Sequence, residues 1–282
     1  LMQNEATNVE ALLKHERWIV AVGLLAIIAL AWWWLLQGAG TGMNVLNMTT
    51  WQFPPPARPS VVQSWSPQYT VVMLLMWWIM MIAMMTPSAA PTILLYARAH
   101  RYECDRGRIE ASVAPAFSFL GGYLAIWLAF SALATGLQWA LEKAGLIHAV
   151  LMWSLEPIFA AILLLAAGLY QLSPLKEVCL HHCRSPARFL AENYEPGAAG
   201  AFRMGTKHGL FCLVCCWFLM ALLFAGGVMN LVWIAGLTIL VLVEKVAPLG
   251  HTIARLSGLL MIAWGAWILL SPHIPLGALM LH

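Results

Sequence analysis

Gly205–Met220 reads GTKHGLFCLVCCWFLM, an apolar run with a histidine and three thiols set into it. Its length and composition suit a helix shielded from water. At about 100° per residue, His208, Cys212 and Cys215 fall within roughly 60° of one another on one helical face, with Cys216 at its edge and Met220 one turn further on. Such a face offers ligands to a soft metal. A second cluster, Cys179-Leu-His-His182-Cys183, lies a short way upstream, its two cysteines again one helical turn apart.

The composition fixes the class around that run. With 62% hydrophobic and 10% charged residues over 282 positions, and a mean hydropathy of +0.79, the chain cannot keep its apolar surface from water as a soluble domain. The expected fold is all-α: a polytopic membrane helix bundle forming one integral domain over residues 1–282. About 20 apolar residues cross a bilayer as a helix, and seven stretches approach that length: 18–36, 69–95, 115–141, 151–172, 209–226, 228–247 and 252–270. The first is of spanning length and lacks a small-residue cleavage pattern after it, so it is read as an anchor rather than a cleaved signal.

Basic residues give the orientation. If the N-terminus is cytoplasmic, the 15 Lys and Arg divide 13 to 2, with only Arg58 and Lys143 outside. That asymmetry predicts N-terminus in and C-terminus out. The net charge of +3 then reports topology, and no nucleic-acid partner is implied. All six cysteines fall on the reducing side, which favours metal binding or thiol chemistry over a disulfide framework. The Pro/Trp-rich segment 37–68 is expected outside, lying on the membrane surface or on a partner. Segment 173–208 is expected to be an inner Cys/His loop.

The second apolar stretch is rich in methionine. VVMLLMWWIMMIAMMTPSAAP, from Val71, places Met73, Met76, Met80 and Met84 on one stripe with Met81 and Met85 beside it, just before Pro87. Methionine commonly fills gaps between packed helices. Thioether pairs one turn apart, Met80/Met84 and Met81/Met85, also suit monovalent copper. Pro87 and Pro91 free backbone carbonyls inside the membrane, tolerated where those groups face protein or a polar cavity.

The upstream thiols have a local frame. Ser173 can cap a short helix opened by Pro174, which would set Cys179 and Cys183 on one face with His182 close by. A zinc ribbon needs two CxxC knuckles in polar surroundings, and Cys212-Leu-Val-Cys215 is embedded in an apolar helix, so zinc ranks below copper. Glu244 and Lys245 are read as interfacial charges, Asn230 as a helix–helix hydrogen-bonding residue, and the Gly121-Gly122 pair as a point of close helix packing.

Trp77-Trp-Ile-Met-Met-Ile-Ala-Met-Met-Thr-Pro87, Tyr170-Gln171 with Lys176, Cys179 and Cys183-Arg184-Ser-Pro186, then Gly205, His208-Gly209, Cys212, Cys215-Cys216-Trp217, Leu219-Met220, Met229-Asn230 and Glu244-Lys245 carry a resemblance. Over about residues 70–250 the chain resembles a bacterial family described as predicted metal-binding integral membrane proteins, a domain of unknown function. The resemblance implies a bound metal without naming it. The residues themselves point to copper(I), held for transport, storage or delivery to a copper enzyme. The candidate ligands are Cys179, His182, Cys183, His208, Cys212, Cys215, Cys216, Met80, Met81, Met84, Met85 and Met220. No catalytic residue is expected and the chain is not read as an enzyme. Membrane-enzyme subunits or a metallochaperone are the partners expected beside the lipid bilayer. Two rival readings are a non-catalytic accessory subunit of a membrane copper enzyme and a membrane thiol–disulfide oxidoreductase.

Overall fold

The computed structural model describes residues 16–42, 45–55, 64–107 and 114–271. Lys14, Arg58, Arg108, His273 and His282 lie outside the described residues, as do parts of the Pro-rich run and both chain ends. The described chain is all-helical: α1 (Glu16–Leu36), α2 (Pro67–Asp105), α3 (Ala114–Lys143), α4 (Pro157–Gln171), α5 (Pro174–Arg184), α6 (Pro186–Asn193), α7 (Gly197–Ala221), α8 (Leu223–Gly226), α9 (Leu231–Val246) and α10 (Gly250–Leu270), with a single 3₁₀ turn at Val45–Met48.

Among the described residues, five helices are long and apolar enough to cross a membrane: α1, α2, α3, α7 continued through α8, and α10. The bent pair α4–α5, with 64° between its halves, would be a sixth. The other expected stretches shorten for local reasons. Helix α4 starts at Pro157 rather than near 151, because residues 147–155 form a buried turn closed by Ile147 against Ser154 and by His148 Nδ1, which accepts from the amides of Val150 and Leu151 at 3.1 Å. Helix α9 is only 16 residues long. It starts at Leu231 because the Asn230 side chain accepts from the Val232 amide at 3.1 Å and caps it. Val228 N donates to Met152 O at 3.0 Å, so these apolar loop backbones satisfy each other inside the protein.

Small residues draw the central helices together. A Cβ on Gly122 would lie 2.1 Å from Phe202 O, and one on Gly205 2.0 Å from Phe119 O, so α3 and α7 touch backbone to backbone. Gly121, by contrast, meets only the Phe202 ring at 4.0 Å. Gly168 and Gly258 bring α4 and α10 together in the same way.

Segment 173–208 is helical rather than a loop, made of α5, α6 and the first turns of α7. As its sequence predicts, Ser173 Oγ accepts from the Lys176 amide at 3.2 Å and Pro174 opens α5. The described part of 37–68 folds back onto the bundle: Asn230 Nδ2 donates to Thr50 O at 3.0 Å, and Phe53 packs on Trp233 and Trp264. It covers the start of α9, leaving Trp51 exposed.

Candidate metal centre

Five helices meet at the thiols of α7. Cys212, Cys215 and Cys216 are all buried on the inward face of α7, and α5 delivers Cys179 and Cys183, also buried, against them. Cys183 and Cys215 face each other across the α5–α7 contact. Cys216 Sγ donates to Cys212 O at 2.9 Å, the i−4 carbonyl of its own helix, and lies 3.9 Å from Met85 Sδ of α2. From α3, the Tyr123 hydroxyl stands 3.1 Å from Cys212 Sγ and 3.1 Å from Met85 O. From α9, Lys245 Nζ lies 2.8 Å from Cys212 Sγ and 3.3 Å from Ser88 Oγ. The two cysteine clusters separated in sequence are therefore one neighbourhood in space.

The methionine stripe faces protein throughout. Met73, Met76, Met80, Met81, Met84 and Met85 are all fully buried, as is Met220. Met85 brings the stripe into contact with the thiols through Cys216, while Met80, Met81 and Met84 fill the surrounding core. Helix α2 runs unbroken through Pro87 and Pro91. The missing N–H of Pro87 leaves Ala83 O without its intrahelical partner, and the Trp32 indole of α1 donates to it at 3.2 Å. Thr86 Oγ1, beside the same proline, is buried without a hydrogen-bond partner.

The histidines sit differently. His208 is buried among the rings of Phe119, Tyr123 and Phe189, and shares Tyr123 with Cys212. His182 stacks flat on Phe211, centroids 4.7 Å apart, with Nδ1 3.0 Å from Val178 O, so the structure does not bring it into the thiol contacts. Among the described residues, no group of three His, Cys, Asp or Glu side chains is arranged to hold a metal ion. The soft donors instead form pairs, Cys183 with Cys215 and Cys216 with Met85. Pairs of soft donors fit a soft monovalent ion better than a tetrahedral zinc, which would need four hard-packed ligands.

Charged residues next to the thiols correct the reading of Glu244 and Lys245 as interfacial. Glu244 is buried, and its carboxylate accepts from Lys176 Nζ at 2.7 Å and from Gln171 Nε2 at 2.6 Å. Lys176 itself is 1% exposed. Arg184 Nη1 donates to Glu244 O at 2.7 Å and Nη2 to Pro248 O at 2.9 Å, closing the end of α9. The crowding is such that a Cβ on Gly250 would lie 1.6 Å from Arg184 Nη1. Lys245, Lys176, Tyr123 and Ser88 escaped the sequence reading of the site. Their one signal is that two of them, Lys176 and Lys245, fall within the quoted family fragments, as does Glu244.

A family model described as PpoB2, copper chaperone, matches residues 74–268, which contain the helices from α3 to α9 and most of α2 and α10. The chain belongs to the PpoB2 copper chaperone family. No curated protein and no solved structure matches it. Copper is therefore the metal this family is associated with, and nothing supports zinc.

Proposed function

We propose that this protein is a membrane-embedded copper(I) chaperone whose cargo sits at the thiols where α5 and α7 meet. The observation that carries the reading is the burial of Cys183, Cys212, Cys215 and Cys216 in one neighbourhood with the Met85 thioether at 3.9 Å from Cys216. Sulfur donors out of water select copper(I) over the harder ions of the cell. In this reading the chain crosses a bacterial inner membrane up to seven times, N-terminus in and C-terminus out. The stripe of Met73, Met76, Met80 and Met84 lines the approach, and the thiols hold the ion for delivery to a copper enzyme or metallochaperone. Cys179, His208, Met81 and Met220 would support the inner walls of the site.

Supporting the orientation is the excess of basic residues on one side, from which Lys176 and Lys245 must be removed because they are buried. Titration of the purified full chain with copper(I) against a chromophoric chelator tests the proposal. Binding that survives Cys104→Ser and is lost in Cys212→Ser with Cys216→Ser is the expected result. Binding that is indifferent to the α7 thiols would sink it.

A further inference from the structure

Lys245 is an unusual neighbour for a cation site. Its side chain is 7% exposed, deep enough that an ammonium needs a partner close at hand. The carboxylate adjacent in sequence does not supply one: both oxygens of Glu244 are taken, by Lys176 at 2.7 Å and Gln171 at 2.6 Å. No carboxylate forms an ion pair with Lys245 among the described residues. What Lys245 Nζ meets instead is Cys212 Sγ at 2.8 Å and Ser88 Oγ at 3.3 Å. A unit positive charge thus already stands against one of the thiols proposed to receive copper(I), another unit positive charge.

We propose that Lys245 is a tethered competitor for the copper(I) seat: its ammonium occupies the cation position at Cys212 when no metal is bound, withdraws toward Ser88 on loading, and reclaims Cys212 on hand-over. This rests on the thiol site being where copper(I) binds. The side chain is suited to the movement. The backbone of α9 at this point is pinned by the Glu244 contacts and by Arg184, whereas the four-carbon lysine stem pivots about several bonds. Ser88 offers a second seat within reach, and its hydroxyl already donates to Met85 O at 2.9 Å, which leaves its lone pairs open to an ammonium. Copper(I) takes the place of the Cys212 thiol proton, which leaves to solvent, so the charge of the buried site is unchanged while the ammonium only shifts within it toward Ser88. A dication entering beside a retained ammonium would be repelled, which adds discrimination to release.

The test compares wild type, Lys245→Met and Lys245→Arg, each purified as the full chain, by copper(I) competition with a chelator and by the rate of copper(I) transfer to it. Removing the competitor is expected to tighten binding by about tenfold and to slow transfer in proportion, while Lys245→Arg, which keeps the charge, stays nearer wild type. A lysine that merely holds the fold predicts the reverse, weaker binding or none. Unchanged or weaker affinity in a Lys245→Met protein that melts like wild type would overturn the inference and leave the copper site standing. Should Lys245→Met fail to fold, Lys245→Gln, able to hydrogen-bond Ser88, replaces it and is judged by the same two outcomes. If wild type itself binds no copper(I), the site and the inference fall together.

Discussion

Lys176 and Lys245 are both buried, and both reach into the space between α5, α7 and α9, yet they answer to different partners. Lys176 meets a carboxylate, Glu244 Oε2 at 2.7 Å, inside a network that also takes in Gln171, Ser257 and the guanidinium of Arg184. Lys245 meets a thiol and a serine hydroxyl. The first lysine completes a closed set of charges that fastens the elbow of α4 and α5 to the end of α9, with α10 joined through Ser257. The second is left in a set that a cation of another kind can complete. Buried charge in this bundle thus serves architecture on one side of α9 and cargo on the other.

The sharpest way to break that contrast is to delete its carboxylate. Glu244→Ala leaves the Lys176 ammonium buried without a counter-charge, and loss of about 3–5 kcal/mol is expected, read as a large fall in the melting temperature of the purified protein. Lys176→Met should cost a similar amount by stranding Glu244, whereas Lys245→Met, whose partners are both able to stay neutral, should cost under about 1 kcal/mol in the same assay. Equal destabilisation by the two lysine variants would erase the distinction.

Next in size is the helix contact that holds the thiol face against Tyr123. A Cβ at Gly205 would press on Phe119 backbone at 2.0 Å, so Gly205→Ala should lose about 1–3 kcal/mol and also weaken copper(I) binding, because α7 must move away from α3. The smallest effect separates the methionines. Met80→Leu with Met84→Leu preserves volume and should cost under about 1.5 kcal/mol with copper(I) affinity little changed, while Met85→Leu, equally mild for stability, should lower affinity because it removes the thioether next to Cys216. Loss of binding in the Met80/Met84 variant instead would place the holding site further along the stripe.

Much of this was legible in the residues, and the parts that were not share a cause. Ser173-Pro174 announced α5 through cap chemistry, the 3.6-residue period put His208, Cys212 and Cys215 on one face with Cys216 at its edge, all of them buried, and the Gly121-Gly122 pair marked a close helix contact, which Gly122 makes with α7. Each of those signals is local, carried by residues within a turn of one another. Hydropathy misjudged 151–156 and 228–230 because apolar side chains were counted as span, although the backbones there pair with each other as buried turns, Val228 N to Met152 O at 3.0 Å. Lys245 and Glu244 looked interfacial because their partners lie 33 and 68 residues away, at Cys212 and Lys176. The inward aim of segment 45–53 was hidden likewise, its anchor being Asn230, 180 residues on from Thr50. His182 was drawn into the ligand set by adjacency to Cys183, and the roughly 100° step of the helix between them instead sends its ring onto Phe211.

The central claim, that the α5 and α7 thiols hold copper(I), is met most directly by copper K-edge X-ray absorption on the purified, copper(I)-loaded chain. About one copper per chain in an all-sulfur shell near 2.3 Å is predicted, with that shell collapsing in the Cys183, Cys212, Cys215 and Cys216 to Ser variant. A shell dominated by nitrogen or oxygen, or a sulfur shell unchanged when those four thiols are gone, would contradict it.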